Sequence, residues 1–260
     1  MFEMYSLISG SSGNASLVTN GSESILIDCG TSGKRAMELI SHTGIPADTI
    51  RAILVTHEHI DHTKGVGIAA RKLKIPVYAT AGTHGAMNIG KLDDSARVMI
   101  SPGHDFEIGH IGVIPFSIPH DAAQPCGYSF IFENKKFTVA TDIGHITDEL
   151  MDSIKGSESI ILESNHDIDM LRFGEYPYPL KQRILGENGH LSNESASAAA
   201  LELVRSGTRH IMLGHLSNEN NRPEIAQLET FNRLTDNGVS VGSDMTLQVA
   251  RRYEVTLFEG

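Results

Sequence analysis

The 260-residue chain has only two cysteines, Cys29 and Cys126. That excludes a disulfide framework and points to a reducing compartment. No apolar run approaches the ~20 residues that a membrane-spanning helix needs. The opening stretch, MFEMYSLISG, lacks a basic segment followed by a long apolar one, so no secretory leader is expected. Basic residues are the minority, since 21 Lys and Arg against 32 Asp and Glu leave a formal net charge of −11. This balance argues against a protein that coats nucleic acid without specificity, because such binding draws mainly on Lys and Arg. It leaves room for a nucleic-acid enzyme whose site is locally positive, and bound divalent ions would add charge that the count omits. There is no low-complexity tract, Ser/Pro linker or solenoid period either. A soluble cytoplasmic protein with no membrane association, folded as a single domain over residues 1–260, is expected.

What the chain does have is imidazole: 13 histidines in an acidic sequence. Short apolar, β-branched runs read as strands, among them MYSLIS, ASLVTN, SILID, AILVT, IGVIPFSI, YSFIF, FTVAT, SIILES, HIMLG and LQVARRYEV. Helical patterns lie between them in KRAMELISHTG, GVGIAARKLK, ESASAAALELVRSG and PEIAQLETFNRL, the last opened by proline. Strands dominate the N-terminal half and helices are interspersed. An α/β sandwich follows, rather than a strictly alternating doubly wound sheet.

The densest chemistry is THEHIDH at residues 56–62, directly after AILVT. His57, His59, Asp61 and His62 can all bind metal. Histidines at i and i+2 of an extended segment project to one side, and a turn just after them can carry Asp61 and His62 to a second point nearby. Three more candidates also follow apolar runs: His120 in FSIPHDA, Asp142 in FTVATDIGH and His215 in HIMLGHLS. Each alone reads more readily as a surface residue. Together with residues 56–62 they supply five histidines and two aspartates, the inventory of a two-metal site.

In this order of motifs the whole chain resembles the metallo-β-lactamase fold superfamily. The resemblance implies a four-layer αββα sandwich with a two-metal site at one edge. It also implies that His57, His59 and His120 hold one ion, that Asp61, His62 and His215 hold the other, and that Asp142 bridges both. Asp28, in ILIDCG, matches an early aspartate that braces the histidine loop without ligating. Imidazole and carboxylate ligands suit Zn or Mn, with Fe also compatible. Two ions 3.5–4 Å apart would lower the pKa of a bridging water, giving a hydroxide nucleophile near neutral pH.

Three stretches narrow the choice of branch. SGSSGNAS, at residues 9–16, resembles a Gly/Ser turn of tRNase Z and related phosphodiesterases; it reads either as a phosphate-facing turn or as a plain hairpin turn. IILESNHD followed by GHLSNESASAAA resembles the tRNase Z arrangement in which a glutamate orients a histidine ahead of a helix. By that match Glu163 polarises His190, raising the imidazole pKa and fixing its tautomer, and His190 protonates the leaving oxygen. Ser192 or Asn193 would cap the helix, and His166 is left between a structural and a functional role. Residues 171–194 interleave Arg172, Lys181 and Arg183 with Phe173, Tyr176 and Tyr178, which suits a single-stranded nucleic acid as well as a solvated loop. The amides of LSNENN, residues 216–221, could orient metal-bound groups or substrate.

Taken together, these stretches resemble the YycJ/WalJ family of metal-dependent nucleases. The expectation is a dinuclear phosphodiesterase that cleaves DNA, with RNA as the lesser alternative, exonucleolytically from the 5′ end. Asp61, His190 and Glu163 would be its catalytic residues, and Arg172, Lys181, Arg183, Tyr176 and Tyr178 its substrate contacts. A glyoxalase II-type thioesterase or a small cyclic phosphodiesterase would use the same metal set. A non-catalytic module that keeps metals for stability is a further reading.

Overall fold

A computed structural model describes residues 2–258. Its strands begin with β1 (Glu3–Ile8), β2 (Ala15–Thr19), β3 (Ser24–Ile27), β4 (Ile50–Leu54), β5 (Val77–Thr80), β6 (Arg97–Ile100) and β7 (Phe106–Ile108). They continue as β8 (Ile111–Ser117), β9 (Cys126–Phe132), β10 (Lys135–Ala140), β11 (Ser159–Glu163), β12 (His210–Gly214), β13 (Thr246–Val249) and β14 (Thr256–Leu257). The first helices are α1 (Gly33–His42), α2 (Ile60–Thr63), α3 (Val66–Leu73) and α4 (Ala81–Ala86). After them come α5 (Asp148–Ile154), α6 (Ile168–Phe173), α7 (Tyr178–Leu185), α8 (Asn193–Arg205) and α9 (Pro223–Asp236). None of these helices is long and apolar enough to cross a membrane.

The described residues form two compact units. One takes in the chain up to Ser117 together with Ala122–Lys135 and Arg251–Leu257. Its larger sheet has the order β14-β1-β2-β3-β4-β5-β6. Short turns join β1 to β2 and β2 to β3, which makes those pairs antiparallel. Helical connections carry the chain from β3 to β4 and on to β5, and those pairs are parallel, as crossovers require. Ala36, Leu39 and Ile40 of α1 and Val66, Ala69 and Ala70 of α3 pack with Leu7, Leu17, Leu26, Ile53 and Val77 in one apolar core. Strands β7, β8 and β9 form an antiparallel meander in the same unit.

The other unit takes in Ile118–Asp121, Lys136–Ala250 and Phe258. Here β10, β11, β12 and β13 pair in parallel. Ile160, Ile161 and Leu162 of β11 and Ile211, Met212 and Leu213 of β12 are all buried. Unbroken apolar runs of this kind mark strands covered on both faces. Helix α8 presents Ala196, Ala199, Ala200 and Leu203, a stripe at helical spacing, as its buried side. The register sets Leu162 level with Ala140 on one side and Leu213 on the other, and Glu163 level with Gly214. These strands therefore end together.

Several elements of the structure correct the sequence reading. LQVARRYEV is not one strand: β13 ends at Val249 and β14 starts at Thr256, the two belonging to different units. The interruption carries an exposed Arg251–Glu254 ion pair of 2.8 Å, and a run of charged residues cannot keep an alternating strand face. Residues 168–185 are also more ordered than a loop, because α6 and α7 occupy most of them. Asp167 caps α6 by accepting from Met170 N, and Pro177 and Pro179 flank the first residue of α7.

Leu203→Ala removes a fully buried side chain from α8. The expected cost is about 2–5 kcal/mol, measured as a lower urea midpoint with the slope of the transition unchanged.

Candidate active site

In the first unit, Ile27 of β3 lies level with Leu54 of β4, so the two exits deliver Asp28 and Thr56 as neighbours. Asp28 adopts φ +57°, a left-handed conformation that costs a side-chain-bearing residue roughly 1–2 kcal/mol. Its contacts hold it there. Asp28 Oδ1 accepts from the Thr56 amide at 2.8 Å, and Oδ2 accepts from Thr56 Oγ1 at 2.8 Å and from His62 Nδ1 at 2.7 Å. With its proton given to Asp28, Thr56 Oγ1 receives His57 Nδ1 at 3.0 Å. The His57 ring lies 4.6 Å from His59 and 4.2 Å from His62, centroid to centroid. The short helix α2 makes this possible, because one turn after His59 brings His62 back toward His57.

The SGSSGN turn packs on this loop through Asn14. The Asn14 amide donates to Asp61 O at 2.8 Å, and its Nδ2 lies 3.3 Å from Asp61 Oδ2 and 3.0 Å from His62 Nε2. Asn14 Oδ1 accepts from Gly10 N at 3.0 Å, which closes the turn. Gly30 is required beside it, since a Cβ there would sit 1.6 Å from the Asp61 carbonyl oxygen. Ser11 and Ser12 are exposed at the tip.

In the second unit, the level ends of β10, β11 and β12 gather Asp142, Glu163 and His215. Asp142 and His215 also take left-handed backbones, φ +61° and +55°. Glu163 is fully buried and ionised. Burial pushes its carboxyl up, but His190 and His215 outweigh that and hold it at about 2. An ionised carboxylate can only accept, so both imidazoles donate from Nδ1 to Glu163 Oε1, His190 at 2.8 Å and His215 at 2.9 Å. Its other oxygen accepts from Ile143 N at 2.6 Å and Leu191 N at 3.1 Å. Asp142 Oδ1 lies 3.2 Å from His215 Nδ1 and 3.9 Å from His120 Nε2. His120 points Nδ1 at the Gly189 carbonyl, 3.1 Å away, and burial keeps its imidazole below the usual pKa, in the neutral form that ligates metal.

These contacts suit metal coordination. His57, His120 and His215 each have Nδ1 engaged by a hydroxyl, a carboxylate or a carbonyl, which fixes the tautomer and makes Nε2 the nitrogen that could coordinate. His62, with Nδ1 on Asp28, has Nε2 3.0 Å from Asn14 Nδ2, which a metal there would have to displace. In the second unit, Asp142, Glu163, His190 and His215 each place a ligand-type atom within 4.8 Å of the others. Nitrogen and oxygen donors without thiolate match Zn, Mn or Fe. Burial pushes the Cys29 and Cys126 thiols up to about 12, so neither offers a thiolate.

The basic and aromatic stretch is used less freely than its composition suggests. Lys181 Nζ donates to the Arg172 and Gly174 carbonyls at 2.9 and 2.6 Å, capping α6, and Arg183 pairs with Asp121. Arg172 is exposed beside Asp167, Asp169, Glu194 and Glu229, Tyr176 is half-buried, and Phe173 and Tyr178 project into solvent, 86% and 73% exposed. His166 is buried, and burial pulls its pKa down to about 4. Of LSNENN, only Asn218 and Glu219 are exposed, while Asn220 and Asn221 are buried. Asn221 faces the scaffold: its Nδ2 donates to the Ser164 and Asn165 carbonyls at 2.9 and 3.0 Å. Sequence reasoning passed over Asn14, Thr56 and Asn165, whose only signal was a polar side chain beside a motif letter.

The arrangement has a family. Residues 23–216 match the beta-lactamase superfamily domain, and the chain belongs to that superfamily. The fold agrees: the metallo-beta-lactamase fold protein YhfI from Bacillus subtilis superposes with a TM-score of 0.72 at 14% identity, over 99% of this chain and 100% of that one. Within the superfamily the chain is 40% identical to the exodeoxyribonuclease YycJ of Bacillus anthracis, covering 91% of this chain and 90% of that protein. It is 38% identical to the exodeoxyribonuclease WalJ of Streptococcus pneumoniae, over 94% and 92%.

Asp28→Asn weakens the brace on His62 and Thr56. Metal affinity should fall about 10- to 100-fold, as read by competition with a chromogenic chelator. A second expectation concerns acid stability. Folded His166 takes up its proton only near pH 4, whereas the unfolded chain does so near 6.5. Nothing is lost above pH 6.5; below it the unfolded state binds the extra proton, and stability falls until about pH 4 by about 3 kcal/mol. Urea titrations at pH 7 and pH 5 should show a smaller decline for His166→Gln than for the native chain.

Proposed function

We propose that the chain is a divalent-metal exodeoxyribonuclease that hydrolyses phosphodiester bonds, starting from the 5′ end. One observation carries this reading: a buried carboxylate holding the Nδ1 of a partly accessible histidine. The His190 side chain keeps 20% exposure while that of Glu163 has none. A histidine so held has Nε2 turned away from its carboxylate, where it can carry a proton toward a substrate. Such a group is a general acid for a poor alkoxide leaving group. A thioester, whose thiolate departs without protonation, has no need of it. The names borne by the YycJ and WalJ relatives support the same choice.

In this proposal His57, His59 and His120 hold one ion, Asp61, His62 and His215 hold the other, and Asp142 serves both. Bound there, divalent ions would supply Lewis-acid chemistry, activating a water and neutralising phosphoryl charge. The chain's own residues do the rest. Asp28, Thr56 and Asn14 keep the histidine loop in place, and Asp61 orients the attacking water. His190 Nε2 gives its proton to the leaving sugar oxygen while Nδ1 stays on Glu163. With Lys181 and Arg183 engaged within the second unit, substrate contact falls mainly to Arg172 and to the rings of Phe173, Tyr176 and Tyr178, on which unpaired bases can stack.

Asp142→Ala should abolish activity and release metal, as read by elemental analysis; full activity with normal metal content would sink the assignment. His190→Ala should keep its metal yet lose phosphodiester cleavage by about 10²- to 10⁴-fold. A panel of 5′-phosphorylated single- and double-stranded DNA, RNA, a cyclic phosphodiester and a thioester, each with Mn or Zn, tests the substrate. Cleavage of the thioester alone would overturn the proposal.

A further inference from the structure

Two buried asparagines join the loops that carry His190 and His215. Asn193 Nδ2 donates to Asn221 Oδ1 at 3.0 Å, and Asn221 Nδ2 donates back to Asn193 Oδ1 at 2.9 Å. The pair is anchored on the exit of β11. Asn193 Oδ1 also accepts from Ser164 Oγ at 2.7 Å, and Asn221 Nδ2 reaches the Ser164 and Asn165 carbonyls. Asn165 Nδ2 in turn donates to the carbonyl of His215 at 3.0 Å, holding that residue in its left-handed backbone. Main-chain bonds complete the frame, Asn165 N to Leu191 O and Asn193 N to His166 O.

So much polar chemistry in a dry interior needs a reason. Two well-packed apolar side chains would serve plain stability as well, because satisfied buried amides add little net. The reason lies at Glu163. His190 and His215 share one acceptor atom, Glu163 Oε1, with their rings 5.2 Å apart and edge to face. A single oxygen serves both imidazoles only while the two loops keep a fixed separation. A shift of either loop would leave Oε1 to one ring and release the other. Asn193 stands three residues after His190 and Asn221 six after His215, and their reciprocal pairing spans that gap.

We propose that Asn193 and Asn221 are positioning residues: their paired amides set the distance between the His190 and His215 loops, so that both imidazoles stay on Glu163 and His190 remains aligned for proton delivery. The functional part of this proposal rests on the acid role given to His190 above. A displacement of about 1 Å in a catalytic group can cost about 10²-fold in rate, so the alignment should be visible in turnover.

The test uses the full chain loaded with zinc, in native form and as Asn221→Ala, Asn193→Ala, His190→Ala and the milder Asn221→Ser. Two activities are compared, one on a DNA oligonucleotide and one on bis(p-nitrophenyl) phosphate, whose nitrophenolate leaves without a proton. The asparagine variants should retain zinc, hold KM within about 3-fold, and lose about 10- to 100-fold in kcat on DNA, with little loss on the nitrophenyl diester. Independently, the proton spectrum should show the two imidazole Nδ1 protons bound to Glu163 far downfield. His190→Ala removes one of them, and the asparagine variants should broaden it or speed its exchange. Asn221→Ser should fall between native and Asn221→Ala in both readouts. Loss of zinc, unchanged downfield protons, or equal losses of the asparagine variants on the two substrates while His190→Ala keeps its leaving-group dependence would overturn the positioning role. If those protons change but His190→Ala shows no dependence on the leaving group, the acid assignment fails while the positioning of the two imidazoles stands.

Discussion

The second unit depends on one buried carboxylate. Glu163 has no exposure and accepts four hydrogen bonds, from two imidazoles and two backbone amides. An ionised carboxylate deprived of water costs several kcal/mol unless every oxygen is satisfied, so those four donors are obligatory. Together they fix three pieces of chain: Ile143 the turn after Asp142, Leu191 and His190 the loop before α8, His215 the exit of β12. Removing the charge would free all three at once. The arrangement is thus first of all a constraint on geometry.

The strands explain how such a constraint can be met. In a parallel sheet, strands in register end together, and side chains just past their ends converge. Here Ala140, Leu162 and Leu213 are level, and Asp142, Glu163 and His215 follow. The first unit repeats the device with β3 and β4, whose exits give Asp28 and Thr56. Asp28, Asp142 and His215 all pay for their placement with a left-handed backbone. That strain, roughly 1–2 kcal/mol each, is opposed at Asp28 and His215 by hydrogen bonds from neighbouring loops. Glycine would relax it, but glycine could neither brace nor ligate.

How far this could be read beforehand varies residue by residue. THEHIDH stood out because four ligand-type side chains fall within seven letters after an apolar run. His120, Asp142 and His215 could be noticed because they too follow apolar runs, and strand ends are where side chains leave the core. The contact between Glu163 and His190 spans 27 residues and was accessible only through resemblance to a known arrangement. Asn14 lies 47 residues from Asp61, and its letter in SGSSGN looks like that of any turn asparagine. The cations of residues 171–194 show what composition leaves out: it counts a charge, while the structure adds that Lys181 donates to two carbonyls and Arg183 pairs with Asp121. The short β5, β6 and β7 escaped because three or four residues carry too little periodicity to register.

The hexamer GHLSNE, at residues 189–194 and 214–219, shows why identical letters can do different work. At residues 189–194 Gly189 is pressed against the Arg183 and Ile184 carbonyls, Ser192 caps α8 by accepting from Ser195 N, and Asn193 turns inward. At residues 214–219 Gly214 is the last residue of β12, Ser217 accepts from Asn220 N, and Asn218 turns out to solvent. The inward amide of this second stretch comes three residues later, as Asn221. The two histidines follow suit. Both give Nδ1 to Glu163, but His215 is buried at a strand exit and His190 remains 20% exposed ahead of a helix. One carboxylate oxygen gives both rings the same tautomer, and the element that follows or precedes each ring decides what its other nitrogen can reach.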